Sequence, residues 1–332
     1  MSRVRAGVEM RRGWLALALA VATPAYAGPP PASLDAMGWL QRMYAASQKL
    51  SFSGTFIYQQ GQQMETSRIV RVVDGTGSHE RVEVLDGMPR EILRDNDDVT
   101  AYLPGTLTVK VEKKTVARPF PGLAPENVKD VGAFYEVRKG DIWRVAGTEC
   151  QSIELHPKDA MRYGQRLCAD IASGMLLKAQ TLNERQEVIE QFAFTQIRVG
   201  QVDRSELKSR FSGKGRDWRV EPSDMAPANL AELGWSLKTI PAGYRKVTEV
   251  KRRLGGHPDV GQIVLSDGLS AVSVFIEPAA ARSGPPPGAT RVGATHMYTR
   301  RVDDYFVTVV GEVPLENVKL IADGVELRRA PQ

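Results

Sequence analysis

The sequence predicts an α+β fold in two parts: a large antiparallel β-sheet domain covered by few helices, then a smaller α+β domain. Three observations carry this. One stretch of helical spacing, residues 33–50, precedes a long region of two-residue alternation, residues 52–199. A second region of alternation begins near Gly234 and ends in a short helix. A chain of 332 residues, 42% of them hydrophobic, suffices for two cores at ~100–200 residues per domain.

The first 27 residues have the form of a secretory signal peptide. Arg3, Arg5, Arg11 and Arg12 precede the apolar run Trp14–Ala22, and Ala25-Tyr26-Ala27 fits the small-x-small rule, which places cleavage after Ala27 and the mature chain in the periplasm. This segment holds four Arg and one Glu, a net +3, so the +5 of the whole chain falls to about +2 after export. A nucleic-acid partner is therefore not expected. No apolar run reaches the ~20 residues that span a bilayer.

The mature chain divides into a domain over 28–200, a linker over 201–232 and a second domain over 233–328. Its helix runs from Ser33 to Leu50, with Ser33 as the cap, Asp35 in the first turn, and Ala36, Leu40, Met43, Tyr44 and Leu50 on one side. The strand-like runs that follow are Phe52–Tyr58, Arg68–Val73, Arg81–Leu85, Val99–Leu103, Thr106–Val111, Asp141–Val145, Leu176–Leu182 and Val188–Val199. Asp74-Gly75, Asp86-Gly87 and Ser173-Gly174 punctuate them. One helix against so many strands implies a curved sheet with its helix on one face.

Cys150 and Cys168 are the chain's two cysteines, and an exported protein can bridge them. The sequence between them reads as a hairpin, Gln151–His156 and Arg162–Leu167 around Pro157–Ala160. Placing the cysteines opposite each other sets Ser152 against Arg166, Glu154 against Gly164 and Leu155 against Tyr163. A structural disulfide is the expectation, since there is no CxxC.

Two stretches break the alternation. Lys113–Asp130 is a long, basic, Pro-rich loop containing Lys113, Lys114, Arg118, Phe120 and Leu123, and loops of this length inside a domain are commonly functional. Residues 201–230 carry Lys208, Arg210, Lys214, Arg216 and Arg219 with no apolar period. The second domain then offers strands at Trp235–Ile240, Lys246–Arg252, Gln262–Leu265, Leu269–Glu277, Ala294–Arg301 and Tyr305–Val310, with a hairpin turn at Asp267-Gly268. Pro314 opens a helix to Ile321, and Gly324 lies beyond its end.

Motifs for chemistry are missing. The four histidines, His79, His156, His257 and His296, form no HExxH, and the cysteine pair lacks zinc spacing. Gly268-Leu269-Ser270-Ala271-Val272 fails as a nucleophile elbow, and Gly213-Lys214-Gly215 is no P-loop. The reading is a binding protein without cofactor or metal, not an enzyme. Its basic clusters, including Lys251-Arg252-Arg253 and Arg300-Arg301, would suit phosphate-bearing lipid or an acidic polypeptide.

Several runs nevertheless resemble a known family. Leu50–Tyr58 (LSFSGTFIY), Glu80–Glu83 (ERVE), Leu85–Glu91 (LDGMPRE), Leu265–Pro278 (LSDGLSAVSVFIEP) and Gly293–His296 (GATH) occur in order along nearly all of the mature chain, and together they are similar to the RseB/MucB family. That resemblance implies a periplasmic negative regulator of a sigma-E-type envelope-stress response. Such a regulator binds the periplasmic domain of a membrane anti-sigma factor (RseA or MucA) and shields it from site-1 proteolysis. Lipopolysaccharide or lipoprotein would release it. The resemblance also implies a half-open barrel like that of the lipoprotein carrier LolA, with an apolar concavity. The Lys113–Leu123 loop, with Lys251, Arg252 and Arg253, is then the expected basic rim for ligand or partner. A LolA-type lipid carrier is the alternative, which the domain from Trp235 onward argues against. Self-association is compatible with either reading.

Overall fold

A computed structural model of the protein describes residues 33–113, 128–212, 218–222, 225–254, 257–281 and 287–328. The signal-peptide segment and residues 114–127 lie outside them, and so do Lys114, Arg118, Phe120 and Leu123 of the expected rim.

The expected helix is α1 (Ala36–Lys49). Its cap is Asp35, not Ser33: the Asp35 carboxylate accepts from the amide of Gly38 at 2.7 Å. A charged acceptor at the helix N-terminus satisfies a free N–H and complements the dipole, which a more distant serine does not. Trp39, Leu40, Met43 and Ala46 recur at three- and four-residue spacing and are buried.

The first sheet is built from β1 (Phe52–Gln60), β2 (Gln63–Asp74), β3 (Gly77–Val84), β4 (Glu91–Asp95), β5 (Asp98–Leu103), β6 (Thr108–Lys113), β7 (Tyr135–Val145), β8 (Thr148–Pro157), β9 (Gly164–Asp170), β10 (Leu176–Leu182), β11 (Val188–Val199) and β12 (Arg219–Glu221), with a short helix α2 (Val128–Phe134) before β7. Asp130, expected as the end of a loop, therefore lies in a helix. The strand order is β12-β6-β5-β4-β3-β2-β1-β11-β10-β9-β8-β7. Two antiparallel meanders are thus joined where β1 pairs with β11, and among the described residues β7 and β12 stay unpaired on their outer sides, leaving a half-open shell.

The seam between the meanders carries the core. Phe52 and Phe194 meet edge to face at 6.0 Å, Phe56 and Phe192 at 6.2 Å, and Phe192 and Phe194 at 5.6 Å. Each such pair adds roughly 0.5–1.5 kcal/mol beyond its area burial. Gly54 allows this closeness, because a Cβ there would stand 2.5 Å from the Gln196 carbonyl oxygen, next to the bulge at Thr55/Phe56.

Alternation assigns the two faces. Phe52, Phe56, Ile69 and Val82 point inward toward α1. On the outer face, Arg81 is paired to Glu91 and, at 2.9 Å, to Glu83. Glu91 has no exposed surface. Its other partners come from the stretch after β11: the Ser209 hydroxyl donates to it at 2.7 Å and the Arg210 amide at 3.2 Å. Arg210 also bridges to Glu83 at 2.6 Å, and Arg68 to Glu206 at 2.7 Å. Part of the expected linker is therefore bound to the shell. Phe211 and Trp218 pack with Tyr102 beside it, and β12 joins β6 in parallel.

The hairpin at the cysteines differs from its expected register. Cys150 faces Asp170 and Ser152 faces Cys168, so the two cysteines are diagonal neighbours on one face, with Cα atoms 5.4 Å apart, and they form the disulfide. The register moves by two residues because Arg162 and Tyr163 leave the hairpin for contacts elsewhere, lengthening the loop to residues 158–163.

The second sheet contains β13 (Ala226–Pro227), β15 (Arg245–Leu254), β16 (His257–Ser266), β17 (Ala271–Pro278), β18 (Gly288–Val292), β19 (Thr295–Val302) and β20 (Tyr305–Gly311), in the order β13-β15-β16-β17-β20-β19-β18. The short pair β14 (Trp235–Leu237) and β21 (Val325–Leu327) stands apart from it. The turn between β16 and β17 takes four residues, Asp267–Ser270, because the Asp267 side chain accepts from the amides of Leu269 and Ser270. Helix α3 (Leu315–Asp323) starts after Pro314 as expected and buries Val318, Ile321 and Ala322. Arg300 is used structurally: it donates to the Ala322 carbonyl at 2.8 Å, at the carbonyl-rich end of α3.

Removing the disulfide by Cys150→Ser with Cys168→Ser is expected to cost about 3 kcal/mol in the chain-entropy treatment of an 18-residue separation. Urea unfolding of the oxidised protein and the double variant measures it; equal midpoints would contradict the expectation.

Candidate functional site

The inner face of the shell and the junction between the two sheets form the candidate site. On β1, β2 and β11 the inner face is packed under α1. Beyond β2 it continues through Val82, Ile92 and Ala101, which share one row across β3, β4 and β5 and are only half-buried. An ionic group crosses this apolar row's neighbour: Glu80 holds Arg71 on one side and Arg94, at 3.0 Å, on the other. Arg71 and Glu80 are almost entirely enclosed, and such a pair is retained only because each charge answers the other.

The junction is organised by Arg162, whose side chain has no exposed surface. Its Nε donates to Asp267 at 3.0 Å, from the β16–β17 turn of the second sheet, and the guanidinium also bonds Asp159 and the Ala242 carbonyl. It lies 4.6 Å from the ring centroid of Phe134 and 5.3 Å from that of Tyr244. Burial opposes this charge, but Asp267 and Asp159 outweigh it and hold its pKa above the usual arginine value. Burial, with the Asp267 charge second, pushes the Tyr135 and Tyr244 hydroxyls upward. Gly243, at φ +83°, fits against Phe134 where a Cβ would stand 2.5 Å from the ring.

Further contacts line the junction. His296 Nδ1 is 2.8 Å from the Val313 carbonyl, which can only accept, so this nitrogen carries the hydrogen; the Tyr163 hydroxyl lies 3.2 Å from the same atom. Burial pushes the Tyr163 hydroxyl up to about 12. Asn317 donates to the Met161 carbonyl at 2.8 Å, and Gln60 to Thr295 at 3.1 Å.

Of the expected rim residues, Lys113 ends β6 and Lys251, Arg252 and Arg253 lie on β15. Arg252 bridges to Glu112, the neighbour of Lys113, at 3.3 Å, so the second sheet's basic run meets the shell beside the start of the expected loop. Arg252 thereby serves the junction, and Cys150 and Cys168 are buried in the shell core. Arg162 and Asp267 were not among the sequence candidates. The Asp267-Gly268 turn was the one signal pointing to them.

Among the described residues no group of three or more His, Cys, Asp or Glu could hold a metal, and no helix is long and apolar enough to cross a membrane. A half-open shell with an apolar inner face, joined through a buried ionic contact to a second sheet, defines a two-domain binding protein. The family models for the MucB/RseB N-terminal and C-terminal domains match residues 35–211 and 229–326, and the chain belongs to this family. The sigma factor AlgU regulatory protein MucB of Pseudomonas aeruginosa is 31% identical, over 92% of this chain and 95% of its own length. The sigma-E factor regulatory protein RseB of Escherichia coli K12 is 23% identical, over 97% of this chain and 100% of its own. The crystal structure of MucB in complex with MucA(peri) superposes with a TM-score of 0.67 at 29% identity, covering 89% of this chain and 100% of that one. A second structure, the Pseudomonas aeruginosa MucA/MucB complex, gives 0.68 at 28% identity, over 89% and 99%.

Arg162→Met leaves Asp267 buried without its cation and is expected to cost about 3–5 kcal/mol. In urea, tryptophan fluorescence should then resolve separate transitions for the shell and the second sheet. Unchanged stability would remove Arg162 from its organising role.

Proposed function

We propose that this chain is an exported regulator of a sigma-E-type envelope-stress response, binding the periplasmic domain of a membrane anti-sigma factor and shielding it from site-1 proteolysis. The observation that carries this reading is the likeness, over 89% of the chain, to MucB as found in complex with MucA(peri). Both domains match, and a partner segment held by two domains is kept from a protease by both at once.

The half-buried row Val82, Ile92 and Ala101 offers apolar surface to an acyl chain of lipopolysaccharide or lipoprotein. Cations of the Lys113–Leu123 stretch would pair with lipid phosphates by charge-assisted hydrogen bonds. Lipid that prefers the partner-free arrangement weakens partner binding by the same factor that the partner weakens lipid binding, typically ~1–3 kcal/mol.

Titration of the chain from Gly28 onward against the periplasmic domain of its own anti-sigma factor, with and without lipopolysaccharide, tests the proposal. Saturable binding relieved by lipid is expected. Firm lipid binding without protein binding would instead make the chain a carrier of the LolA type. Lys113→Glu with Lys114→Glu and Arg118→Glu is expected to weaken lipid binding by about tenfold or more, given a few kcal/mol for several charge-assisted contacts; unchanged affinity removes this stretch from the rim. Export and cleavage after Ala27 predict a mature protein beginning at Gly28, read directly by N-terminal sequencing.

A further inference from the structure

One carboxylate at the junction has no structural explanation in the contacts above. Glu190 lies on β11 opposite Gln60 of β1, on the inner side of the shell where β1 turns into β2. Gln60 reaches across to Thr295 of the second sheet, and Gly293 packs against the Gln60 side chain. Glu190 is therefore at a corner where the two sheets touch. Its Oε1 accepts from the Tyr58 hydroxyl at 2.7 Å, but its Oε2 is enclosed without a hydrogen-bond partner. An ionised carboxylate with an orphaned buried oxygen is costly, and a neutral carboxyl is much less so.

Among the described residues, the groups that shift Glu190 include no cation. Glu312, which follows β20 on the second sheet, acts on Glu190 as a like charge across the junction; burial, and then Glu190 itself, raise the Tyr58 hydroxyl, with Glu312 and Glu65 of β2 adding to it. On the second sheet's side, the Arg291 Nε donates to the Gly293 carbonyl at 2.8 Å, and His296 is engaged by Val313 and Tyr163. Thr181 of β10 faces Glu190 in the ladder and is neutral.

We propose that Glu190 and Glu312 form a proton-operated catch between the two domains: with a proton on Glu190 the corner closes, and without it two carboxylates repel across the corner and loosen it. The environment places the transition in a useful range. Burial, reinforced by Glu312, pushes the Glu190 carboxyl up to about 7 from an ordinary 4.5. The sign follows from linkage. The closed corner binds a proton more tightly than the open one, so its extra stability is full below the ordinary carboxylate pKa and is gone once the pH has risen through about 7. An exported chain meets the pH of its surroundings, and this catch sets how firmly its domains hold their arrangement. The catch belongs to the chain alone and stands apart from partner binding.

Hydrogen exchange of the full mature chain tests it, with protection read at the Gln60–Gln63 turn and at Gly293–Met297, and each rate divided by the intrinsic rate at that pH. Between pH about 5.5 and about 8, wild-type protection at these amides is expected to fall about 30-fold, while the centre of the second sheet at Val272–Val274 changes far less. Glu190→Gln should stay protected at both pH values. Glu312→Gln, at an exposed position, should lessen the dependence without threatening the fold. Equal wild-type protection at the two pH values, or a Glu190→Gln variant that loses protection as steeply as wild type, would overturn the proposal.

Discussion

Arg162 is the point on which the arrangement of this protein turns. A guanidinium with no exposed surface is tolerable only where every direction it faces offers an acceptor or an aromatic ring, and here those come from both halves of the chain. Asp159 and the rings of Phe134 and Tyr135 come from the first domain; Asp267, the Ala242 carbonyl and Tyr244 come from the second. Neither half alone would satisfy it. The charge that would be intolerable in either isolated domain is what makes their association specific in register and angle.

The shell itself uses different physics on its two faces. Inward, apolar rows and the phenylalanine seam pack beneath α1, the ordinary result of alternation with one face buried. Outward, β2 to β4 are covered by a chain segment that brings charge: Ser209 and Arg210 complete a network around Glu91 and Arg81. The segment is held by ion pairs and hydrogen bonds sheltered from water, together with the packing of Phe211 and Trp218 on Tyr102.

This contrast explains what could be read in advance. The α1 helix, most strands of the shell and the helix after Pro314 all follow from apolar spacing or a breaker residue, signals local to a few residues. Strand β4 was missed because Glu91–Asp95 is short and runs into an acidic turn, and β18 because every residue in it is exposed and so carries no alternation. The Arg162–Asp267 contact joins residues 105 positions apart, and nothing near either one announces the other. The two-residue error in the cysteine hairpin has the same origin: a distant partner took Arg162 and Tyr163 out of the strand that local pattern had assigned them to. The expected basic rim was legible as charge, yet the ion pair of Arg252 with Glu112 ties the domains together.

The parallel strand β12 has a consequence for motion. It fixes residues 219–221 to the edge of the shell, and β13 fixes residues 226–227 to the second sheet. Five peptide steps join the last anchored residue of one to the first of the other, a reach of at most ~18 Å at 3.3–3.6 Å per residue. Within such a radius the local concentration of one domain around the other is on the order of tens of millimolar. If the junction lets go, the domains cannot part; they rotate on a short leash and meet again at once. Opening is then a hinge movement whose extent is limited by chain length, and a modest change in junction strength suffices to alter the angle between the domains without ever releasing them.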